Sequence, residues 1–425
     1  MIARGPRRKT ERGALRFGLL IVVAALVVAI AFASRQRQAD DSGDMSLGRT
    51  SGPAQGVSDA AQRSLVDYWE GELPKVYDRQ FVPPAGGFQP KTPESPPFSC
   101  GGERLTYQDL QGNAVYCGAP EDDYIAWDAA GLFPRLVERF GSVAPAIVLA
   151  HETGHAVQAR AGVDAPSVVR ELQADCFAGS WTRWSEGSAT DAVSFTDGAL
   201  DSAVATILTL RDQPGTPAGA QQAHGLGFDR VNAFQTGYEQ GAEACAGFPE
   251  RGVVTTELPF RTVAESQTGG NLPYPEAVAV LTDSLNDFWT SALPQLKPGT
   301  TFDPPAVRPG EGDRLQGVHE QIGDLATGAI LSEAWAEAAQ TAAELPTAGR
   351  QAGMQRDCFT GAWLAYLAGD DLASSQLSPG DLDEALTQIV LSSFADDGHR
   401  IDRGGAFERT RALRTGLFGN LPSCR

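Results

Sequence analysis

Ala150-His151-Glu152-Thr153-Gly154-His155-Ala156-Val157-Gln158 is the stretch on which the reading of this 425-residue chain turns. Two imidazoles four residues apart fall on one face of a helix, so His151 and His155 can grip a single metal ion. Glu152, one residue on, leans over the same place with a carboxylate free to act as a base. The preceding Ala146–Ala150 is wholly apolar, which suits a buried helix better than a solvated one. The chain has five histidines, and two of them stand here at ligand spacing, which weighs against a pair of unrelated surface residues.

A catalytic zinc takes three protein ligands and keeps one position open. No histidine follows soon after His155, so the variant of the motif that adds a third His is excluded. Glu171, 16 residues beyond His155, opens Glu171-Leu172-Gln173-Ala174-Asp175 and is the candidate third ligand. Asp175 is four residues further on the same helix face. It is placed to accept the remaining ring N–H of a ligating histidine and fix its tautomer. One zinc per chain is expected.

Outward from the motif the pattern is mainly helical. Ser142–Ala161 carries Val143, Ile147, Val148 and Val157 on one face, with Pro145 early and Gly162 ending it. Asp164 can cap a second helix, with Pro166 in its first turn, running to about Trp184. Leu200, Val204, Ile207 and Leu208 predict a third helix, and Val231, Phe234 and Tyr238 a fourth. Ala114–Cys117 and Tyr124–Trp127 read as short strands joined by a polar turn. The expected fold is α+β with helices dominant.

The second half of the chain reads as a degenerate copy of the first. Leu172–Trp181 (LQADCFAGSW) returns as Met354–Trp363 (MQRDCFTGAW) at an offset of 182. Gly198, Leu200, Asp201, Ala203 and Ile207 meet Gly380, Leu382, Asp383, Ala385 and Ile389 at the same offset. Arg230, Ala233, Thr236, Gly237 and Cys245 meet Arg409, Ala412, Thr415, Gly416 and Cys424 at 179. Ser64, Leu65, Asp67, Trp69, Leu73 and Pro74 meet Ser284, Leu285, Asp287, Trp289, Leu293 and Pro294 at 220. Ordered blocks sharing rare Trp and Cys residues point to a tandem duplication. The copy keeps Gln340 for Gln158 and Asp357 for Asp175 but loses the chemistry. Glu333, Ala334, Glu337 and Gly353 stand where the first half has His151, Glu152, His155 and Glu171.

Residues 1–16 are basic, and an uncharged apolar run follows from Phe17 to about residue 34. That run is long enough to cross a bilayer, and the basic residues before it would keep the N-terminus cytoplasmic. The expectation is a single-pass transmembrane helix or signal anchor over 17–34; secretion after signal cleavage is the alternative. Residues 35–60, rich in Asp, Ser, Gly, Gln and Ala, read as a flexible stalk. A catalytic unit over 61–248, a connector over 249–273 and a non-catalytic unit over 274–425 follow. Without residues 1–37 the chain has 26 basic and 52 acidic residues, a net charge of −26. Nucleic acid is therefore excluded as a partner, leaving a protein or peptide substrate and the membrane contacted by the N-terminal helix.

All six cysteines lie beyond the apolar run, and an even count in an exported chain favours disulfides. The duplication narrows the pairing. If each copy closes its own fold, Cys358 pairs with Cys424 and Cys176 with Cys245, which leaves Cys100 to Cys117.

Taken together, Tyr116-Cys117 with Tyr124-Ile125-Ala126-Trp127-Asp128, Ala150–Gln158, Glu171–Trp181, and His224-Gly225 through Arg230, Phe234, Gly237, Gly241 and Cys245 resemble the neutral zinc metallopeptidase family of bacteria. The resemblance covers about 100–248 and departs at Leu226-Gly227-Phe228, where small polar residues are usual. It implies a zincin-like fold of the Glu-zincin type, with Glu152 as base and His151, His155 and Glu171 as ligands. His224 is a candidate oxyanion donor, its plainer role being to tie a loop to a neighbouring helix. The function expected is an extracytoplasmic zinc endopeptidase acting at the cell envelope. The alternative is a binding or assembly protein with a vestigial peptidase fold.

Overall fold

Pro145 in the first turn and Gly162, at a left-handed φ of 74°, bound the helix Ala144–Ala161 that carries both histidines of the motif. In this computed structural model the described residues are 53–118, 121–187, 198–220, 223–253, 255–256, 258–307, 311–369, 375–394 and 403–425. The first half runs α1 (Pro53–Tyr77), β1 (Phe88–Lys91), β2 (Phe98–Cys100), β3 (Glu103–Leu105), α2 (Tyr107–Leu110), β4 (Ala114–Cys117), β5 (Tyr124–Asp128), α3 (Leu132–Phe140), α4 (Ala144–Ala161), α5 (Ser167–Gly187), α6 (Ala199–Thr209), α7 (Gly227–Gln240), α8 (Ala242–Ala246) and α9 (Phe248–Arg251). The second continues with α10 (Val263–Thr268), α11 (Tyr274–Leu296), α12 (Gly312–Gln321), α13 (Asp324–Ala342), α14 (Arg350–Ala368), α15 (Asp381–Phe394), α16 (Ala406–Gly419) and a 3₁₀ turn at Leu421–Cys424.

The fold is α+β with helices dominant. Its larger sheet has the order β1-β5-β4, with β1 parallel and β4 antiparallel to the central strand, and β2 and β3 form a separate antiparallel pair. Every residue of β5 is buried, because the strand is paired on both edges and covered by helices. Arg160, at the end of α4, grips the Asp123 carboxylate with one guanidinium nitrogen at 2.8 and 2.9 Å and also donates to Tyr116. The turn between β4 and β5 is thereby tied to the histidine helix.

Two expectations need correction or limits. Residues 53–60, assigned by composition to the stalk, form the first turns of α1, and Ser58 and Ala60 are already buried. Their polar sequence has little helical periodicity of its own; packing of α1 on α4 supplies the stabilisation. The apolar run 17–34 lies outside the described residues, and among those described no helix is long and apolar enough to cross a membrane.

Positions aligned between the halves make the same contacts. Trp181 Nε1 donates to Ser64 Oγ at 3.0 Å, and Trp363 Nε1 to Ser284 Oγ at 3.0 Å. Gln173 donates to the Cys245 carbonyl at 3.1 Å, and Gln355 to that of Cys424 at 3.0 Å. A Cβ on Gly179 would lie 1.9 Å from the Phe234 carbonyl oxygen, and one on Gly361 2.0 Å from that of Leu413. Only glycine allows α5 to approach α7, and α14 to approach α16, this closely.

The halves meet through exchanged contacts. Asp383 of α15 accepts from the backbone N–H of Gly227 at 2.8 Å and Phe228 at 2.7 Å, at the start of α7. Asp201 of α6, its aligned counterpart, accepts from Phe407 N–H at 2.9 Å, at the start of α16. Each half thus caps a helix N-terminus of the other. Gln235 and Arg414, also aligned, meet each other at 3.4 Å. This is the reciprocity of a two-fold axis.

Candidate metal centre

The bundle brings α4 and α5 together at a glycine. A Cβ on Gly154 would stand 2.9 Å from the Ala174 Cα, so the glycine inside the motif lets the two helices touch. That approach sets Glu171 against both imidazoles. His151 Nε2 lies 3.2 Å from His155 Nε2 and 3.3 Å from Glu171 Oε2, and His155 Nε2 lies 3.4 Å from Glu171 Oε1. Ligands of a tetrahedral zinc with bonds of about 2.1 Å stand roughly 3.4 Å apart. The three residues therefore fit the ion that their chemistry suggests, as two neutral imidazoles and one carboxylate.

A second layer of hydrogen bonds fixes how the imidazoles point. His151 Nδ1 meets Asp175 Oδ1 at 2.8 Å, which leaves Nε2 with its lone pair toward the metal position. His155 Nδ1 meets Gln158 Oε1 at 3.0 Å; the Gln158 amide nitrogen donates to the Arg170 carbonyl at 2.6 Å and to Gln173 Oε1 at 3.1 Å. Both amide atoms of Gln158 are thus committed, and the His155 tautomer with them. Arg230, wholly buried, clasps Asp175 through Nε at 2.7 Å and an Nη at 3.0 Å, and approaches Glu171 to 3.8 Å.

The metal-free charges show how strongly this site favours a cation. Burial disfavours a charged His151, yet the Asp175 and Glu171 carboxylates outweigh it and push its pKa up to about 10. Burial likewise works against the Glu171 carboxylate, but His155, His151 and Arg230 hold it far below the usual range. Asp175 is lowered against its burial by Arg230 and His151.

Glu152 is buried on α4, and its carboxylate makes no hydrogen bond or ion pair with the described residues. His224 lies outside the ligand cluster. Its Nδ1 meets Asp212 Oδ1 at 3.1 Å, while its backbone N–H and that of Gly225 donate to Asp212 Oδ2 at 2.6 and 2.9 Å. The bond to Asp212 raises its pKa against burial, with the nearby Glu171 charge adding to the rise. The His224 side chain is half exposed. Tyr124 is not available to a substrate: its hydroxyl is spent on the Ser99 carbonyl.

Sequence reasoning singled out His151, His155, Glu171, Glu152 and Asp175 but gave no role to Gln158, Arg230 or Asp212. The signal for two of them was present. Gln158 and Arg230 align with Gln340 and Arg409 in a half without the two histidines, so their contacts are part of the scaffold there. Asp212 has no such trace.

The disulfides are those the duplication suggested: Cys100–Cys117, Cys176–Cys245 and Cys358–Cys424, the last two each with Cα atoms 5.5 Å apart. Cys176–Cys245 joins α5, which carries Glu171 and Asp175, to α8.

Residues 100–248 match the family described as "Putative neutral zinc metallopeptidase". No curated protein and no solved structure matches the chain.

Proposed function

From the match of residues 100–248 to a family of zinc metallopeptidases, we propose that this chain is a zinc-dependent endopeptidase acting on proteins outside the cytoplasm. One observation carries the reading: His151, His155 and Glu171 stand 3.2–3.4 Å apart beside a buried, unpartnered Glu152. His151, His155 and Glu171 would hold a zinc, which would supply Lewis acidity and a water acidified to a pKa of about 7. Glu152 takes the proton from the attacking water and returns it to the leaving amine. His224, braced by Asp212, donates to the oxyanion that forms on the scissile carbonyl. Asp175, with Arg230 behind it, and Gln158 hold the imidazoles in place throughout. The outer edge of β4, unpaired in the sheet, offers an extended substrate a strand to pair with.

The second half is a duplicated, non-catalytic copy whose role is to cover or present substrate. Its exchanged helix caps with the first half and its matching disulfide support common descent. The basic residues before the apolar run 17–34 support a single-pass protein with its catalytic part outside the cytoplasm, secretion after signal cleavage being the alternative. The test is cleavage of an unfolded protein by the full chain and by Glu152→Gln, with new N-termini read by mass spectrometry. Equal cleavage by both proteins, or none by either while zinc is bound, would refute the peptidase reading in favour of a binding role.

A further inference from the structure

Asp324, Asp381 and Glu384 form a second cluster, remote in sequence from the histidine site and wholly in the second half. Asp324 opens α13, Asp381 and Glu384 open α15, and all three side chains are buried. One carboxylate oxygen from each lies within 4.8 Å of the others. Most of their remaining oxygens are accounted for. Asp324 Oδ2 accepts from Leu272 N–H at 2.9 Å, Asp381 Oδ2 from Ser378 N–H at 2.7 Å, and Glu384 from Leu325 N–H at 3.0 Å and Asn271 at 3.3 Å. Asp324 Oδ1 is different: it is buried without any hydrogen-bond partner, in a residue only 4% exposed.

No basic group within the described residues forms an ion pair with these carboxylates. Arg261 and His319 act on Asp381 and Asp324 only through their charge, their hydrogen bonds going elsewhere: Arg261 donates to the carbonyls of Ser375 and Leu377, and His319 Nε2 bonds the Leu272 carbonyl. The N-termini of α13 and α15 favour negative charge by a fraction of what three carboxylates need. Burial, and then the repulsion among the three, pushes Asp381 and Glu384 well above their usual range. A buried acceptor left empty beside two further carboxylates calls for a missing positive partner.

The first half shows that the fold does not require acids here. At the aligned positions it has Ser142, Ala199 and Ser202, and the Gly323 preceding Asp324 matches Gly141. All three acids are found only in the half that lost its zinc ligands.

We propose that Asp324, Asp381 and Glu384 bind a calcium ion that clamps the connector before α11 to the starts of α13 and α15. The donors are all oxygen, which suits a hard cation and not zinc. Calcium–oxygen bonds of about 2.3–2.6 Å allow ligand oxygens up to roughly twice that distance apart, and the oxygens here, within 4.8 Å of one another, fall inside that limit. Asn271 and Leu272, bonded to the same acids, bring the connector into the clamp.

The full chain, saturated with zinc and stripped of other divalent ions, is titrated with calcium by calorimetry and thermal unfolding. About one calcium should bind per chain, and the melting temperature should rise by about 5 °C at a hundredfold excess over Kd. Asp381→Asn with Glu384→Gln should abolish both effects at unchanged zinc content. If those amides prevent folding, Asp324→Ser, Asp381→Ala and Glu384→Ser restore the first half's residues, and that chain should fold without responding to calcium. A native chain that binds no calcium and gains stability on acidification instead would overturn the proposal, its carboxylates being held by shared protons. An equal response to magnesium would also overturn it, since the smaller ion demands stricter geometry.

Discussion

The histidine site and its counterpart in the second half occupy the same frame and solve opposite electrostatic problems. In both, a buried arginine grips a buried aspartate with two bonds: Arg230 on Asp175 at 2.7 and 3.0 Å, Arg409 on Asp357 at 2.8 and 2.9 Å. In the first half the next residues inward are His151, His155 and Glu171, which leave a place for a cation. In the second, Glu333 replaces His151 and takes Arg409 at 3.2 Å and Arg403 at 2.7 Å. Arg403 is aligned with His224, and its backbone and side chain lie 3.1–3.4 Å from where a Cβ on Gly353, the counterpart of Glu171, would stand. An arginine thus lies against the missing ligand's position, and two carboxylates meet two guanidinium groups with no charge left over. Even the Gln158 contact is replaced, since Arg356 donates to Gln340 Oε1 at 3.1 Å where His155 donates in the first half. What distinguishes a metal centre from a structural ion-pair network on this scaffold is a surplus of negative charge and a set of lone pairs facing it.

The sharpest way to break the comparison is at the base. Glu152→Gln should retain zinc and lose roughly 10²–10⁴-fold in peptide cleavage, because the residue moves a proton without ligating. Undiminished turnover in a defined peptide assay would put the catalytic base elsewhere. Next comes the third ligand. Glu171→Gln should strip the chain of its single zinc on dialysis, and elemental analysis of the His151→Ala/His155→Ala chain should find none in the second half. Zinc retained by that double variant would mean that the ion-paired site is not closed to metals.

The two arginines sharpen the contrast. Arg230→Met and Arg409→Met should each lower stability by about 3–5 kcal/mol, since each leaves a buried aspartate without its main partner. Only Arg230→Met should also weaken zinc binding; an equal loss with Arg409→Met would show the two sites to be coupled. Removing either long disulfide by Cys→Ser replacement should cost about 2–4 kcal/mol in denaturant unfolding. Activity should fall further for Cys176–Cys245, which holds the Glu171 helix, than for Cys358–Cys424.

The smallest effects separate the two aspartates. Asp175→Asn should weaken zinc about 10–100-fold, as loss of a histidine's orienting partner does, while Asp357→Asn leaves zinc unchanged. Asp357 differs from Asp175 in the sign of its shift. Burial raises it, Arg409 opposes this without prevailing, and the adjacent Glu333 raises it further. A carboxyl raised in the folded state holds its proton longer than in the unfolded chain. Its contribution to stability is therefore complete below the unfolded pKa and declines as pH rises through the folded one. Asp357→Asn should flatten that decline in thermal unfolding followed upward from about pH 4.

The sequence by itself determined much of this protein. Four-residue spacing on a helix is a geometric fact, so His151, His155 and the intervening Glu152 could be read as a constellation before any coordinates. Glu171, the candidate third ligand, came from the ligand count of zinc and the Glu171–Asp175 stretch 16 residues beyond His155, and the disulfide pairing from a repeat visible in Trp and Cys positions. The polar residues 53–60 were misread because a helix with weak periodicity is stabilised by its packing partners, which sequence does not display. Strand β1 went unread for a similar reason: the short Phe88–Lys91 acquires its form from pairing with β5, 37 residues later in the chain. Only the tertiary structure decided which buried charges face each other. Arg230 behind Asp175, Asp212 behind His224 across a long loop, Arg403 against Glu333, and the partnerless Asp324 Oδ1 beside Asp381 and Glu384 all join groups far apart in the chain. Electrostatic interactions depend on distance and burial in space, and neither is a function of separation along the chain.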